Sequence, residues 1–222
     1  MNGSVVRQLI LKDLYLVRWL IVGAIVAGIP ALALMPASGL TSYVGGVSLI
    51  CVLIILNIFL VMSGVVQERK DKVLLFALSL PVSSAQYTAA KVIGNAIAFL
   101  VPWIILTVAA IVVIDATRMP NGILPFWITV LVSLLLYYCI LLAVGLVWDA
   151  TAAHVSMITA GNVSVNFLIA FLLGLPSVRT NAESQTAVWT ADIITILGIE
   201  LAAAVVILGT AVYVRSRRGD YV

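Results

Sequence analysis

The chain has 222 residues, 64% hydrophobic and only 9% charged. Soluble domains carry about 25% charge, and a helix in water needs a polar face that most of this sequence lacks, so a water-soluble globular fold is excluded. The formal net charge of +3 and pI of about 9.0 do not mark a nucleic-acid partner here, because Lys and Arg scattered over short loops are what membrane topology requires. The composition defines an all-α, polytopic membrane protein, a single transmembrane domain over residues 1–222 with membrane lipids as its solvent.

In chain order, Val6, Leu9, Ile10, Leu14 and Val17 recur three and four apart, with Arg7, Gln8 and Lys12 elsewhere around the wheel. This predicts an amphipathic helix over 4–17, either lying in the inner interface or simply extending the first span into the cytoplasm. Arg18-Trp19 marks the entry point. The first uncharged run, 19–34, has only 16 residues. It reaches a full span, about 18–36, if Arg18 snorkels to the headgroups and the run lengthens into "MPASGLTSY". Basic residues, an apolar run and "ALA" at 31–33 imitate a cleavable leader, but the charged region is long and five further spans follow. Those spans are placed at about 44–66, 87–114, 124–148, 153–175 and 188–214, each long enough to cross a ~30 Å hydrocarbon layer at ~1.5 Å per residue.

Orientation follows from the basic residues. With the N-terminus inside, Arg7, Lys12, Arg18, Arg69, Lys70, Lys72, Lys91, Arg215, Arg217 and Arg218 fall on the cytoplasmic side, and only Arg118 and Arg179 fall outside. Both termini are therefore expected in the cytoplasm.

Between the second and third spans, residues 67–86 hold more charge than any other loop. Glu68, Arg69, Lys70, Asp71 and Lys72 precede "VLLFALS" at 73–79, and Leu80-Pro81 follows. Leu and Ala favour a short helix that Pro81 ends, with Leu80 pushed into extended backbone. Ser83 and Gln86 then have capping-box spacing, which opens the helix that continues through Lys91 into the third span. A rigid, partly apolar helix of this kind either seals the bilayer edge or docks on a soluble partner.

The segment "ERKDKVLLFALSLPVSSAQYTAAK" resembles the cytoplasmic loop of type-2 ABC exporter permeases. There an acidic-basic pair, here Glu68-Arg69, leads into a short helix, here 73–79 with Val73, Leu74, Phe76 and Leu78. The break is matched by Leu80-Pro81-Val82-Ser83, and a lysine, Lys91, opens the next span. "VRQLILKDLYLVRW" is similar to the family's interfacial entry helix. The resemblance implies a permease in the cell (inner) membrane, paired with a second copy or a homologous permease. Its coupling helix would dock on a separate ABC ATPase subunit that binds ATP and Mg, and it would export an amphipathic or hydrophobic peptide, lipid or drug. The chain itself has no G-x-x-x-x-G-K-[ST] phosphate loop, and none of Lys12, Lys70, Lys72 and Lys91 follows a glycine. No catalytic residue, bound cofactor or enzyme activity is expected of it. The short loop at 149–154 offers a second, minor contact with the ATPase.

Within the spans, Glu200 stands out. A carboxylate there is costly unless paired or hydrated, so it either lines a pathway or sits neutral and bonded to a neighbouring helix. Ala203 and Ala204 beside it favour packing on protein. Asn162 and Asn166 share a face of the fifth span, and Asn57 and Asn95 lie in the second and third. These amides serve as interhelical bonds or line a path. The pairs Ala24/Gly28, Gly94/Ala98 and Gly198/Ala202 permit close helix approach, and Pro102 should kink the third span. Cys51 and Cys139 read as buried packing residues. His154, the lone histidine, reads as structural or interfacial, and no metal site or G-x-S-x-G nucleophile is expected. The polar outer segment 176–192 is suited to a short outer helix, with Trp189 at the interface. The competing functions are a secondary transporter or channel with Glu200 as its ion or proton site, and a non-transporting membrane scaffold.

Overall fold

Six helices of the computed structural model are long and apolar enough to cross a bilayer: Val6–Leu34, Leu40–Gly64, Ala89–Ala116, Asn121–Val147, Ala152–Gly174 and Ala191–Arg215. The structure describes residues 3–67, 84–117, 119–148 and 150–217. The helices are α1 (Gly3–Leu34), α2 (Leu40–Val61), α3 (Ser84–Ala116), α4 (Leu124–Val147), α5 (Thr151–Gly174), the short α6 (Pro176–Asn181) and α7 (Ala191–Arg217). A π-helical turn, Met62–Gln67, continues α2, and a 3₁₀ turn, Asn121–Ile123, precedes α4. Six crossings bring the start of α1 and the end of α7 to one face of the bundle, called here the terminal face.

α4 is the axis of the packing. Its sequence is apolar all round, the pattern of a helix with no solvent side, and most of its residues are buried. α2, α3, α5 and α7 all lie against it. Phe99 of α3 stacks on Tyr138 of α4 with ring centroids 4.2 Å apart, and Trp103 Nε1 donates to Leu131 O at 2.8 Å. That bond sits beside Pro102, and α3 continues as helix through the proline. By contrast, Trp19, Phe167 and Val205 stand 72% exposed, which suits hydrocarbon and would be costly in water.

α1 runs without a break from Gly3 into the span. Residues 10–13 do not form a separate surface helix: they pack on α3, where Gly94 lets the backbone of Ile10 and the side chain of Asp13 come close. Further along, Gly28 receives Leu106. The Ala24/Gly28 and Gly94/Ala98 pairs thus both serve the α1–α3 seam, whereas Gly198 and Ala202 of α7 face outward. Arg18 lies with its guanidinium carbon 3.7 Å from the Tyr15 ring centroid and 5.4 Å from that of Trp19, an aromatic cradle for a cation near the membrane entry.

Gly39 makes the turn from α1 to α2, at φ 64°, a left-handed conformation that glycine adopts without steric cost. Ser42 Oγ then donates to Met35 O at 2.7 Å and ties the turn down. At the same end of the bundle, Gly122 N donates to Ser184 O at 2.9 Å, fastening the polar segment after α6 to the base of α4.

Candidate functional site

The terminal face gathers α1, α2 and α3 around the two ends of the charged loop. Lys91 Nζ lies 2.7 Å from Asp13 Oδ2, and both side chains are about nine-tenths buried. Lys12 approaches the other oxygen of Asp13 at 3.7 Å. One turn beyond Lys91, Asn95 Nδ2 donates to Lys91 O at 3.2 Å. The amide end of Asn95 fills the space where Gly64, within the π-turn, has no side chain: a Cβ there would sit 2.8 Å from its oxygen. Gly64 thus lets the end of α2 press onto α3. A cavity of about 400 Å³ opens beside this junction, lined by Asp13, Phe59, Ser63, Gly64 and Asn95 among others. Residues 68–83, with Glu68, Arg69, Val73, Leu74, Phe76, Leu78, Leu80 and Pro81, lie outside the described residues, as does the expected cap Ser83. α3 begins at Ser84.

Sequence reasoning missed Asp13. It stands four residues from both Leu9 and Val17, inside the apolar stripe of the N-terminal helix, where a carboxylate is itself a signal. Lys91, a cation at the mouth of a span that calls for a buried partner, was the matching signal.

A second site lies partway along the spans. α7 buries one stripe, Ile193, Glu200, Ala204 and Ala211, and turns it toward α4. Glu200 is 5% exposed, and its Oε2 is buried without a hydrogen-bond partner among the described residues. α5 and α7 both lie on α4 but hardly touch each other. The space between them is a groove of about 400 Å³ with Glu200 on its wall. Tyr137 and Ser133 belong to its floor, and Met157, Ala160 and Gly161 to the α5 side. Tyr137 is seated against Gly161 and donates from its hydroxyl to Ile158 O at 3.1 Å.

The amides do not converge with Glu200. Asn57 Nδ2 donates to Leu134 O at 3.2 Å and bonds α2 to α4. Asn166 Nδ2 donates to Asn162 O at 2.8 Å within α5. Asn166 also lines a separate cavity of about 540 Å³ toward the far face, with Tyr43, Cys51 and Trp127. Cys139 is buried as expected, but Cys51 is exposed. His154 is buried and bonds through Nδ1 to the carbonyl of Ala150, just before its own helix, at 2.9 Å. No cluster of metal-ligating side chains occurs among the described residues.

A bundle of six helices long and apolar enough to cross a bilayer, with buried polar groups along them, defines a multi-pass membrane protein. The family model described as "ABC-2 family transporter protein" matches residues 8–216, nearly the whole chain, and the protein belongs to that family. It is an ABC transporter permease, and the family implies partnership with an ABC ATPase subunit. No curated protein and no solved structure matches the chain.

Proposed function

We propose that the chain is the membrane subunit of an ATP-driven exporter in the cell (inner) membrane, with both termini in the cytoplasm. It pairs with a second copy or a homologous permease and moves an amphipathic or hydrophobic substrate outward. ATP and Mg bind the partner ATPase. The coupling residues are Glu68, Arg69, Val73, Leu74, Phe76, Leu78, Leu80 and Pro81, which meet that partner. The observation that carries this reading is the junction at the loop's base. Gly64 against Asn95 and the Asp13–Lys91 pair bind the helices on both sides of the loop to each other and to α1. A push on the loop therefore reaches three spans at once, without slack, because packed interiors deform little.

The test is coupled transport in proteoliposomes containing the permease and its ATPase. Glu68→Arg and Pro81→Ala are expected to insert and assemble normally, and to hydrolyse ATP while transport falls about tenfold. Wild-type transport in both variants would overturn the coupling role. A second reading, a secondary transporter with Glu200 as its ion or proton site, draws on the unpartnered carboxylate oxygen in the groove. It requires transport that follows the membrane gradient and survives removal of the ATPase.

A further inference from the structure

We infer that the groove between α5 and α7 is a binding site for a lipophilic amine, with the apolar body held between the two helices and the protonated nitrogen on the Glu200 carboxylate. The inference deepens the export reading by naming a class of cargo, and it rests on that reading only for what happens to the molecule after it binds. The argument begins with Glu200. It is 5% exposed, one carboxylate oxygen has no partner among the described residues, and no other acidic or basic side chain lines the groove. It stands nine residues into α7, which places it about 14 Å from the helix start at ~1.5 Å per residue, near the middle of a ~30 Å hydrocarbon layer. Headgroups and bulk water do not reach that depth, so Glu200 is held as a carboxylate only against a counter-charge that comes to it, such as an amine that takes up its proton.

The chemistry of the walls selects an organic cation over an inorganic one. A metal cation takes about six oxygens or more, whereas most of the lining is aliphatic or methionine: Leu136, Ile140, Met157, Val165, Leu168 and Ile196. The groove's hydroxyls are already turned to backbone carbonyls, Ser133 to Val130 O at 2.7 Å and Ser164 to Ala160 O at 2.8 Å. Tyr137 adds an aromatic ring, a further attraction for a cation. The volume of about 400 Å³ lies in the range of small-molecule sites. Because α5 and α7 hardly meet, the groove opens sideways, and a molecule already dissolved in the bilayer enters without crossing an aqueous mouth. An anionic amphiphile of the same shape would meet a like charge.

The test is photolabelling of the full-length permease alone in lipid nanodiscs, without ATPase, so that it can fail while coupled export stands, and the reverse. Three probes share one diazirine-bearing C12 chain and differ only in the head: primary amine, alcohol and sulfate. The expected result is saturable labelling by the amine within 157–168 of α5 and 196–200 of α7, displaced by dodecylamine. The amine should bind at least tenfold more tightly than the alcohol, and the sulfate should not label. Glu200→Gln should weaken the amine at least tenfold and leave the alcohol unchanged, with Glu200→Asp recovering part of the loss. If Glu200→Gln does not fold, Ala160→Phe, on an exposed position of the groove wall, serves instead by abolishing labelling with every head. Equal labelling by amine and alcohol would reduce the groove to a seat for lipid chains and overturn the proposal. So would full amine affinity in Glu200→Gln, or cross-links showing a second copy of the chain lying in the groove.

Discussion

At Asp13 and Lys91 the membrane environment decides what a pair of charges is worth. On a wet surface such a pair contributes at most about 1 kcal/mol. Here both side chains are about nine-tenths buried and 2.7 Å apart, and removing one partner of a buried pair costs about 3–5 kcal/mol because the other is left uncompensated. Asp13→Asn and Lys91→Met are each expected to lower the melting temperature in detergent by about 10 °C. The double variant should recover most of that loss, which a thermal-shift series of the four proteins checks. Equal losses in single and double variants would show that the charges do not act as a pair. Asn57 teaches the complementary lesson. As a lone amide in an apolar run it is conspicuous in the sequence, but the partner it finds, Leu134 O of α4, is seen only in the structure. Glu200 was conspicuous for the same reason, since hydrophobic surroundings make a single carboxylate stand out. Its partner helices were not legible, because they depend on which face of α7 meets α4.

The elements were legible where hydropathy alone specifies them. Six uncharged or nearly uncharged runs became six crossing helices because a bilayer leaves backbone groups no partner except their own helix. Segments whose form depends on neighbours were harder to read. The amphipathic pattern over 4–17 was equally suited to an interfacial helix and to an extension of α1. The structure runs it straight into the span and packs it on α3, with the seam set by Gly94. The π-turn has no sequence signature, and the small pair Gly198/Ala202, which permits close helix approach, faces outward. The junction at Gly64 gives an element-scale prediction. Gly64→Val drives a side chain into Asn95 and should separate α2 from α3 at the terminal face. In proteoliposomes with the ATPase, transport per ATP hydrolysed is expected to fall severalfold, with insertion unchanged. Unaltered stoichiometry would show that the contact is not on the coupling route.

On the scale of the molecule, α4 is enclosed while α5 leaves much of its surface uncovered. Ser156, Thr159, Val163, Asn166, Phe167 and Ala170 are all exposed, a mixed stripe of small, polar and aromatic side chains of the sort that joins helices in lipid. A second permease copy is expected against it. Val163→Cys should therefore form a disulfide-linked dimer with mild oxidant in native membranes, while a cysteine at Val205, on the outer side of α7, should not. Failure of both to link would leave the stripe to lipid. Each copy would bring its own π-turn, Met62–Gln67, to the assembly. A coil wound with a residue to spare has two pitches available to it. Rewinding it to the tighter thread swivels the chain beyond it by about one residue's rotation, roughly 100°. On the coupling proposed above, a small thrust at the loop would become torque on a span, and the permease would work as much like a screw as like a lever.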